Sequence, residues 1–374
     1  FYLIFFYFTT NKYTFTITSF MINKINFKKI TIQMKKPFRI YLGSSDIYEG
    51  YLVKVETDEK VIGFGESVPS PYITGDSLGS IEEELKSFSQ LLKGDEISTE
   101  ILNEKMKKRY KGSKASRAAI DMAIWDIIGK ISNKPVYQLL GKYRDEIKTS
   151  YTVDLVDPED AIEMAKSFLS QGVKVFKIKL GSGLEKDVER VKNVRETIGE
   201  KMMIYVDFNQ AYNPKMALKV IKNIEKYNIE FVEQPVPAYD LNALKWVKEK
   251  SEIPVMGDES IFSIYDAAKV ISMEAVDMIN VKIMKAGGIT EGIKIIDVAE
   301  SFGIPVMIGC MVETKLALSA GLNLALSKSN VKYADLDGDT SLLEDITEEG
   351  IIFKEGKLSF KGLPGLGVKV KDLL

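Results

Sequence analysis

From about residue 146 onward the chain repeats one unit, and that repetition limits what it can fold into. Short apolar, β-branched-rich runs fall at 148–155, 174–180, 203–208, 229–234, 254–258, 277–283, 304–309 and 331–336. Helical patterns lie between them; the first, PEDAIEMAKSFLSQG, has Pro158 early and Gly172 just past its end. Runs this short and this apolar suit parallel strands covered by helices. Eight of them predict a (β/α)8-type barrel rather than an open doubly wound sheet. No GxGxxG loop opens a helix after the first run, which counts against dinucleotide binding.

The preceding part has another texture. INKINFKKITI, YEGYLVKVETD and KVIGFGESV read as strands within 22–66, and VPSPYITGDS (68–77) reads as a loop near a site. A helix is expected over Lys114 to Lys130, with Ala118, Ile120, Ala123, Ile124, Ile127 and Ile128 on one face. Strands followed by helices make an α+β unit. After the eighth run the pattern stops, and the remaining tail, with a hairpin and turns, is long enough to return to the first unit.

The charge balance excludes some functions. Lys plus Arg number 51 against 53 Asp plus Glu, a formal net charge of −2. That gives no general pull toward nucleic acid or an anionic membrane. The single cysteine, Cys310, forms no intramolecular disulfide and fits a reducing, cytoplasmic setting. The run Phe1 to Phe8 lacks the flanks of a secretory signal and is too short to span a bilayer. We therefore expect residues 1–20 to be a non-native or disordered extension ahead of Met21, a membrane-associating tail being the other reading.

Asp207, Glu233 and Asp258 end three successive runs, and Lys179 and Lys285 extend the same ruler backwards and forwards. In a barrel all five side chains reach one rim, where catalytic groups gather. With no histidine in the chain, acid–base chemistry falls to lysine, carboxylate, tyrosine or the one cysteine. Three oxygen ligands from adjacent strands suit Mg²⁺, although any one acid alone could simply cap the next helix. Lys177 and Lys179 point the same way from the second run, into the mouth. Lys282 competes with Lys285, which is preferred because it precedes Ala286-Gly287-Gly288. A base on each side of one carbon, beside a metal-held carboxylate, can remove and return an α-proton. Asp335 and Asp337 face one way at the eighth run, and would attract a cationic group or serve as a polar turn. Cys310 has no basic partner, so it reads as pocket lining.

The helix AIDMAIWDIIGK (119–130), KIK (177–179), DFNQ (207–210), VEQP (232–235), GDES (257–260) and IMKAGG (283–288) resemble, in order and spacing, the enolase superfamily in its muconate-lactonizing-enzyme subgroup. The resemblance runs from Met21 to the C-terminus. It implies a (β/α)7β barrel over 146–340, an α+β capping domain over 21–145, a tail over 341–374 returning to that domain, and two mobile loops at about 38–46 and 66–76. It further implies Mg²⁺ on Asp207, Glu233 and Asp258, an opposed acid–base pair of Lys179 and Lys285, and Lys177 on the substrate carboxylate. ADLDGD (334–339) is similar to the DxD signature of dipeptide epimerases, which implies that Asp335 and Asp337 hold a substrate ammonium. IGCMVET (308–314) resembles their pocket segment, so Cys310 and Val312, together with Thr152 on the first strand, are expected to line the substrate. In enzymes of this kind that prefer Ala-Glu a cation can come shortly after the KPF stretch. Here Arg39 follows directly and Ile-Tyr-Leu-Gly-Ser-Ser adds no further cation, a departure that counts against a preference for an acidic side chain. The expected reaction epimerises the C-terminal residue of an L,L-dipeptide, in a cytoplasmic homo-oligomer. An N-acylamino-acid racemase, o-succinylbenzoate synthase or cycloisomerase is the alternative, and a non-catalytic binding barrel another.

Overall fold

Ile30, Ile32 and Met34 are buried while Thr31, Gln33 and Lys35 between them are exposed, the period-two pattern of a strand with one face on a core. In the computed structural model, which describes residues 4–5, 16–17, 19–112 and 114–374, this strand is β1 (Ile22–Ile40). It pairs antiparallel with β2 (Gly43–Thr57), which pairs with β3 (Ile62–Ser67). The expected extension over 1–20 lies mostly outside the described residues. The expected loop at 38–46 is instead the tip of the β1–β2 hairpin: Phe38, Arg39 and Ile40 pair with Ser45, Ser44 and Gly43 beyond a register shift.

Three helices follow: α1 (Leu78–Leu91), α2 (Thr99–Arg109) and α3 (Ala115–Ile131). The expectation of a one-faced α3 is corrected. Every residue from Ala115 to Ile124 is buried, as are Asp126, Ile127 and Gly129. The helix is buried nearly all round because it lies between β3 on one side and barrel helices on the other. Gly63 and Gly65 allow that approach, since a Cβ on either would strike the Ala123 or Ala119 carbonyl.

The eight expected runs all form strands, β4 (Ser150–Val153), β5 (Val175–Lys179), β6 (Met203–Asp207), β7 (Ile229–Glu233), β8 (Val255–Gly257), β9 (Met278–Lys282), β10 (Val306–Gly309) and β11 (Val331–Asp335). They make one parallel sheet in sequence order with helices in all seven gaps, a (β/α)7β barrel. No ladder joins β4 to β11 among the described residues. Side chains close that seam: Thr149 Oγ1 accepts from Leu336 N at 2.9 Å, and Ser150 Oγ donates to Asp335 at 2.7 Å. Inside, Val175, Tyr205, Phe231, Met256, Met278 and Met307 form a floor, with the Tyr205 and Phe231 rings stacked 4.3 Å apart.

The tail does return. Its hairpin, Ile351–Lys354 with Lys357–Phe360, adds to the short strand Glu146–Lys148 beside β4. Beyond it, Leu366 N donates to Asp126 of α3 at 2.9 Å, and Lys28 and Lys54 reach the Leu373 and Leu374 carbonyls.

Candidate active site

Strand register sets the site. Lys179 pairs with Asp207 and Asp207 with Glu233, each the last residue of its strand, and Asp258 follows β8 directly. Lys285 lies on the short helix Ile283–Ala286 after β9. With eight strands in order, the second and sixth lie half a barrel apart, so Lys179 and Lys285 flank the row of acids from opposite sides.

The groups are knitted by ion pairs. Lys177 Nζ lies 3.0 Å from Asp207, 2.9 Å from Glu233 and 2.8 Å from Asp335. Lys179 Nζ lies 2.7 Å from Asp207 and donates to Asn209 Oδ1 at 2.9 Å. Asp258 takes Lys282 at 2.7 Å and Lys285 at 2.5 Å. Lys285 also donates to the Asp258 carbonyl. Burial raises the cost of every charge here, so each must be partnered.

Protonation follows from burial set against neighbours. Burial opposes ionisation of Asp207, but Lys179 and Lys177 outweigh it and hold the carboxyl at about 2. Burial and then Asp207 push Glu233 up to about 8. Burial lifts Asp337 to about 7, with Asp335 adding to it. Lys177 is held well above its ordinary value, because Asp335, Glu233 and Asp207 override burial. Burial pulls Lys285 down, Asp258 opposing and Lys282 assisting.

The donor set fits a divalent cation. Six carboxylates (Asp207, Glu233, Asp258, Glu259, Asp335, Asp337) face four lysines (Lys177, Lys179, Lys282, Lys285), a formal excess of two negative charges, all buried. Glu233 Oε2 and Asp258 Oδ1 each lie against a lysine ammonium, at 2.9 and 2.5 Å, so a cation would compete with those lysines for both oxygens. Among the described residues no such trio already closes on one point as a cage; lysine ammonium groups stand between the acids.

Above the row opens a cavity of about 1310 Å³ lined by the hairpin tip, by the 69–73 turn and by barrel residues. Lys177, Lys179, Thr152, Cys310, Val312, Asp335 and Asp337 all reach it, so the structure brings those expected residues together. Lys285 does not line it: the side chain is fully buried and turned onto Asp258, whereas Lys282 reaches the wall. Asp335 and Asp337 also hold structure, Asp337 accepting from Thr152 N at 2.6 Å across the barrel seam. Cys310 Sγ lies 4.0 Å from Asp337, and burial pushes its thiol well up, away from nucleophilic use.

Sequence reasoning missed the residues that hold the acids. Asn280 Nδ2 donates to Glu233 Oε1 at 2.7 Å. Gln234 Oε1 accepts from the Asp258 and Ser260 amides at 2.9 and 3.2 Å. Asn209, Gln210 and Gln234 have φ of +40°, +68° and +35°. Such left-handed non-glycine residues cost about 1–3 kcal/mol each and cluster at functional sites. An asparagine inside the apolar run MINVK was the available signal.

Residues 24–141 match the mandelate racemase/muconate lactonizing enzyme N-terminal domain, and 160–373 match the enolase C-terminal domain-like family. The chain is 37 % identical to a hydrophobic dipeptide epimerase of Enterococcus faecalis over 93 % of its length and 99 % of the relative's. It is 35 % identical to an L-Ala-D/L-Glu epimerase of Bacillus subtilis, covering 92 % and 96 %. It is 35 % identical to an N-succinyl-L-Arg/Lys racemase of Bacillus cereus, covering 94 % and 96 %. The E. faecalis dipeptide epimerase solved with Mg and L-Leu-L-Tyr superposes with a TM-score of 0.91 at 36 % identity, covering 93 % and 99 %. With both domains matched and most of its length aligned, the chain belongs to the enolase superfamily, in the mandelate racemase/muconate lactonizing enzyme group.

Proposed function

We propose that this protein is a Mg²⁺-dependent dipeptide epimerase, interconverting L,L- and L,D-dipeptides by removing and returning the proton α to the C-terminal carboxylate. The observation that carries the chemistry is the pair of lysine segments half a barrel apart with a row of carboxylates between them. In this proposal Asp207, Glu233 and Asp258 hold the metal. When bound, Mg²⁺ supplies positive charge against the second negative charge that develops on the substrate carboxylate.

Lys177 binds that carboxylate. Lys179 takes or returns the proton on one face of the α-carbon and Lys285 on the other. Asp258 pairs with both Lys282 and Lys285, so a cation held there would compete with the Lys285 ion pair. Asp335 and Asp337 receive the substrate's α-ammonium, and Thr152, Cys310 and Val312 line the pocket. The dipeptide epimerases of similar sequence support the substrate class.

The same proposal divides the chain into a capping domain over 21–145, a catalytic barrel over 146–340 and a returning tail over 341–374, and places it as a homo-oligomer in the cytoplasm. No described helix is long and apolar enough to cross a membrane.

The test is α-proton exchange in D₂O, followed by NMR, across a panel of L,L-dipeptides and N-succinyl amino acids. Exchange of dipeptides with accumulation of the L,D form is expected. Turnover of N-succinyl amino acids with no dipeptide exchanged would move the assignment to the racemase activity of the B. cereus relative.

A further inference from the structure

Lys285 is not on a strand. Its short helix ends at Gly287 with φ +93°, and Gly288 follows with φ +123°. Such a segment cannot take its position from a sheet ladder, so something else must fix it. The barrel helix α4 (Ile289–Ser301) begins immediately after.

Helix α3 of the capping unit lies against this segment along one stripe. Lys114, at its N-cap, donates to the Phe262 carbonyl, and its Nζ stands 5.0 Å from the Phe262 ring centroid. The Lys285 ammonium stands 5.5 Å from the same ring. One turn on, Arg117 is buried against Gly287, where a Cβ would come within 3.0 Å of its guanidinium. Asp121, a further turn on, accepts from Thr290 N at 3.0 Å and Thr290 Oγ1 at 2.6 Å, and a Cβ on Gly288 would strike its carboxylate. Trp125 Nε1 donates to the same Thr290 Oγ1 at 2.9 Å. Positions 114, 117, 121 and 125 follow the three- and four-residue spacing of one helix face.

The Asp121 carboxylate at the first turn of α4 satisfies amides that otherwise lack partners and sits where the helix dipole favours negative charge. Asn103 of α2 braces it, donating to Oδ1 at 2.6 Å. Lys107 and Glu100 of α2 pair with Glu291 and Lys294 of α4 at 3.2 and 2.8 Å. Among the described residues, the other lysine's strand receives no comparable set of hydrogen bonds from the capping unit. Lys179 sits in the β5–β6 ladder with Asn209 beside it.

We infer that the α3 stripe Lys114–Arg117–Asp121–Trp125 is a positioning device for Lys285, so that the capping unit fixes one of the two acid–base groups rather than only covering the cavity. These are positioning residues, acting through the backbone of 287–290 and through the Phe262 ring. The inference rests on the proposed epimerase activity, and it predicts an asymmetry that a general loss of stability would not produce. A displaced Lys285 should slow proton exchange on its own face of the α-carbon and leave the face served by Lys179.

The experiment uses the full chain with Mg²⁺ and variants Asp121→Asn, Asp121→Ala and Lys114→Gln, the last being the mildest for folding. Solvent deuterium exchange into the α-position of the L,L- and L,D-dipeptides is measured separately. Amide hydrogen exchange over 285–292 is read alongside. The expected result is a loss on the order of ten- to a hundredfold for one diastereomer, the scale of a misplaced catalytic group, with the other near wild type and faster amide exchange confined to 285–292. Equal loss for both diastereomers, or unchanged amide exchange in that segment, would overturn the inference. If the wild type exchanges no dipeptide the activity assignment fails, while the amide measurement still decides whether α3 holds the segment.

Discussion

The capping unit touches the barrel mouth on two sides in unlike ways. Over Lys179 it offers the β1–β2 hairpin tip, where the Arg39 carbonyl accepts one bond from Leu155 N and Tyr41 lies against Gly181. Against Lys285 it presents a buried helix with a carboxylate and an indole committed to backbone and hydroxyl partners, and a buried guanidinium packed against Gly287. An exposed tip with few bonds can open at low cost, whereas a buried polar network is costly to break because each freed group loses its partner without gaining water. One side of the lid is thus suited to admitting substrate and the other to keeping geometry.

The largest expected effects come from removing the lysines themselves. Lys179→Ala and Lys285→Ala should each lower epimerisation by about 10²–10⁴-fold, each sparing α-proton exchange of one diastereomer; that pattern in separate D₂O assays would establish the two faces. Lys282→Met tests the rival that reaches the cavity wall. If it, and not Lys285→Ala, removes exchange on one face, the roles are reversed.

Chelation should act on both sides alike. Stripping divalent cations is expected to stop exchange of both diastereomers, and Mg²⁺ at a hundred times its dissociation constant should stabilise the fold by about 2.7 kcal/mol, read as a rise in Tm. No shift in Tm with Mg²⁺ would count against the carboxylate row as its site.

A second buried acid separates docking from positioning. Glu66 of β3 accepts from Thr314 N at 2.9 Å and Ala317 N at 3.1 Å, at the start of the barrel helix Lys315–Ser327. Glu66→Ala leaves those donors unpaired and should cost about 1–3 kcal/mol in urea unfolding. Because this helix carries no lysine of the pair, surviving activity should fall equally for both diastereomers.

The smallest effect is a pH dependence at Asp121. Burial holds its carboxyl up at about 6, above its value in the unfolded chain. The folded state therefore binds the proton more tightly, and the stability this contributes is present below about pH 4 and lost as pH rises through about 6. Relative to Asp121→Asn, the wild type should lose stability across that window and stay level above it. A difference that is flat with pH would place the carboxyl in a less buried setting.

Much of the site was legible because a strand's alternation and a fixed unit length put the last residue of each strand on one rim. Lys179, Asp207, Glu233 and the neighbourhood of Asp258 followed from that spacing alone. Asn280 was less legible, since a polar residue inside an apolar strand announces a partner but not which one. Helix α3 was misread because an Ala- and Ile-rich helix with one apparent face looks alike whether its other side meets water or a second layer.

The sequence by itself determined the kind of fold and the chemistry available: eight strands alternating with helices, no histidine, and acids and lysines at strand ends. Those are properties of local periodicity and residue type, which act over a few residues. The tertiary structure alone decided which lysine lines the cavity, that the DxD aspartates close the barrel seam, and that α3 grips the segment after Lys285. These depend on pairs such as Ser150 with Asp335 and Asp121 with Thr290, 185 and 169 residues apart. No local pattern encodes such a pair. Only the packing of one finished layer on another brings its members within hydrogen-bond reach.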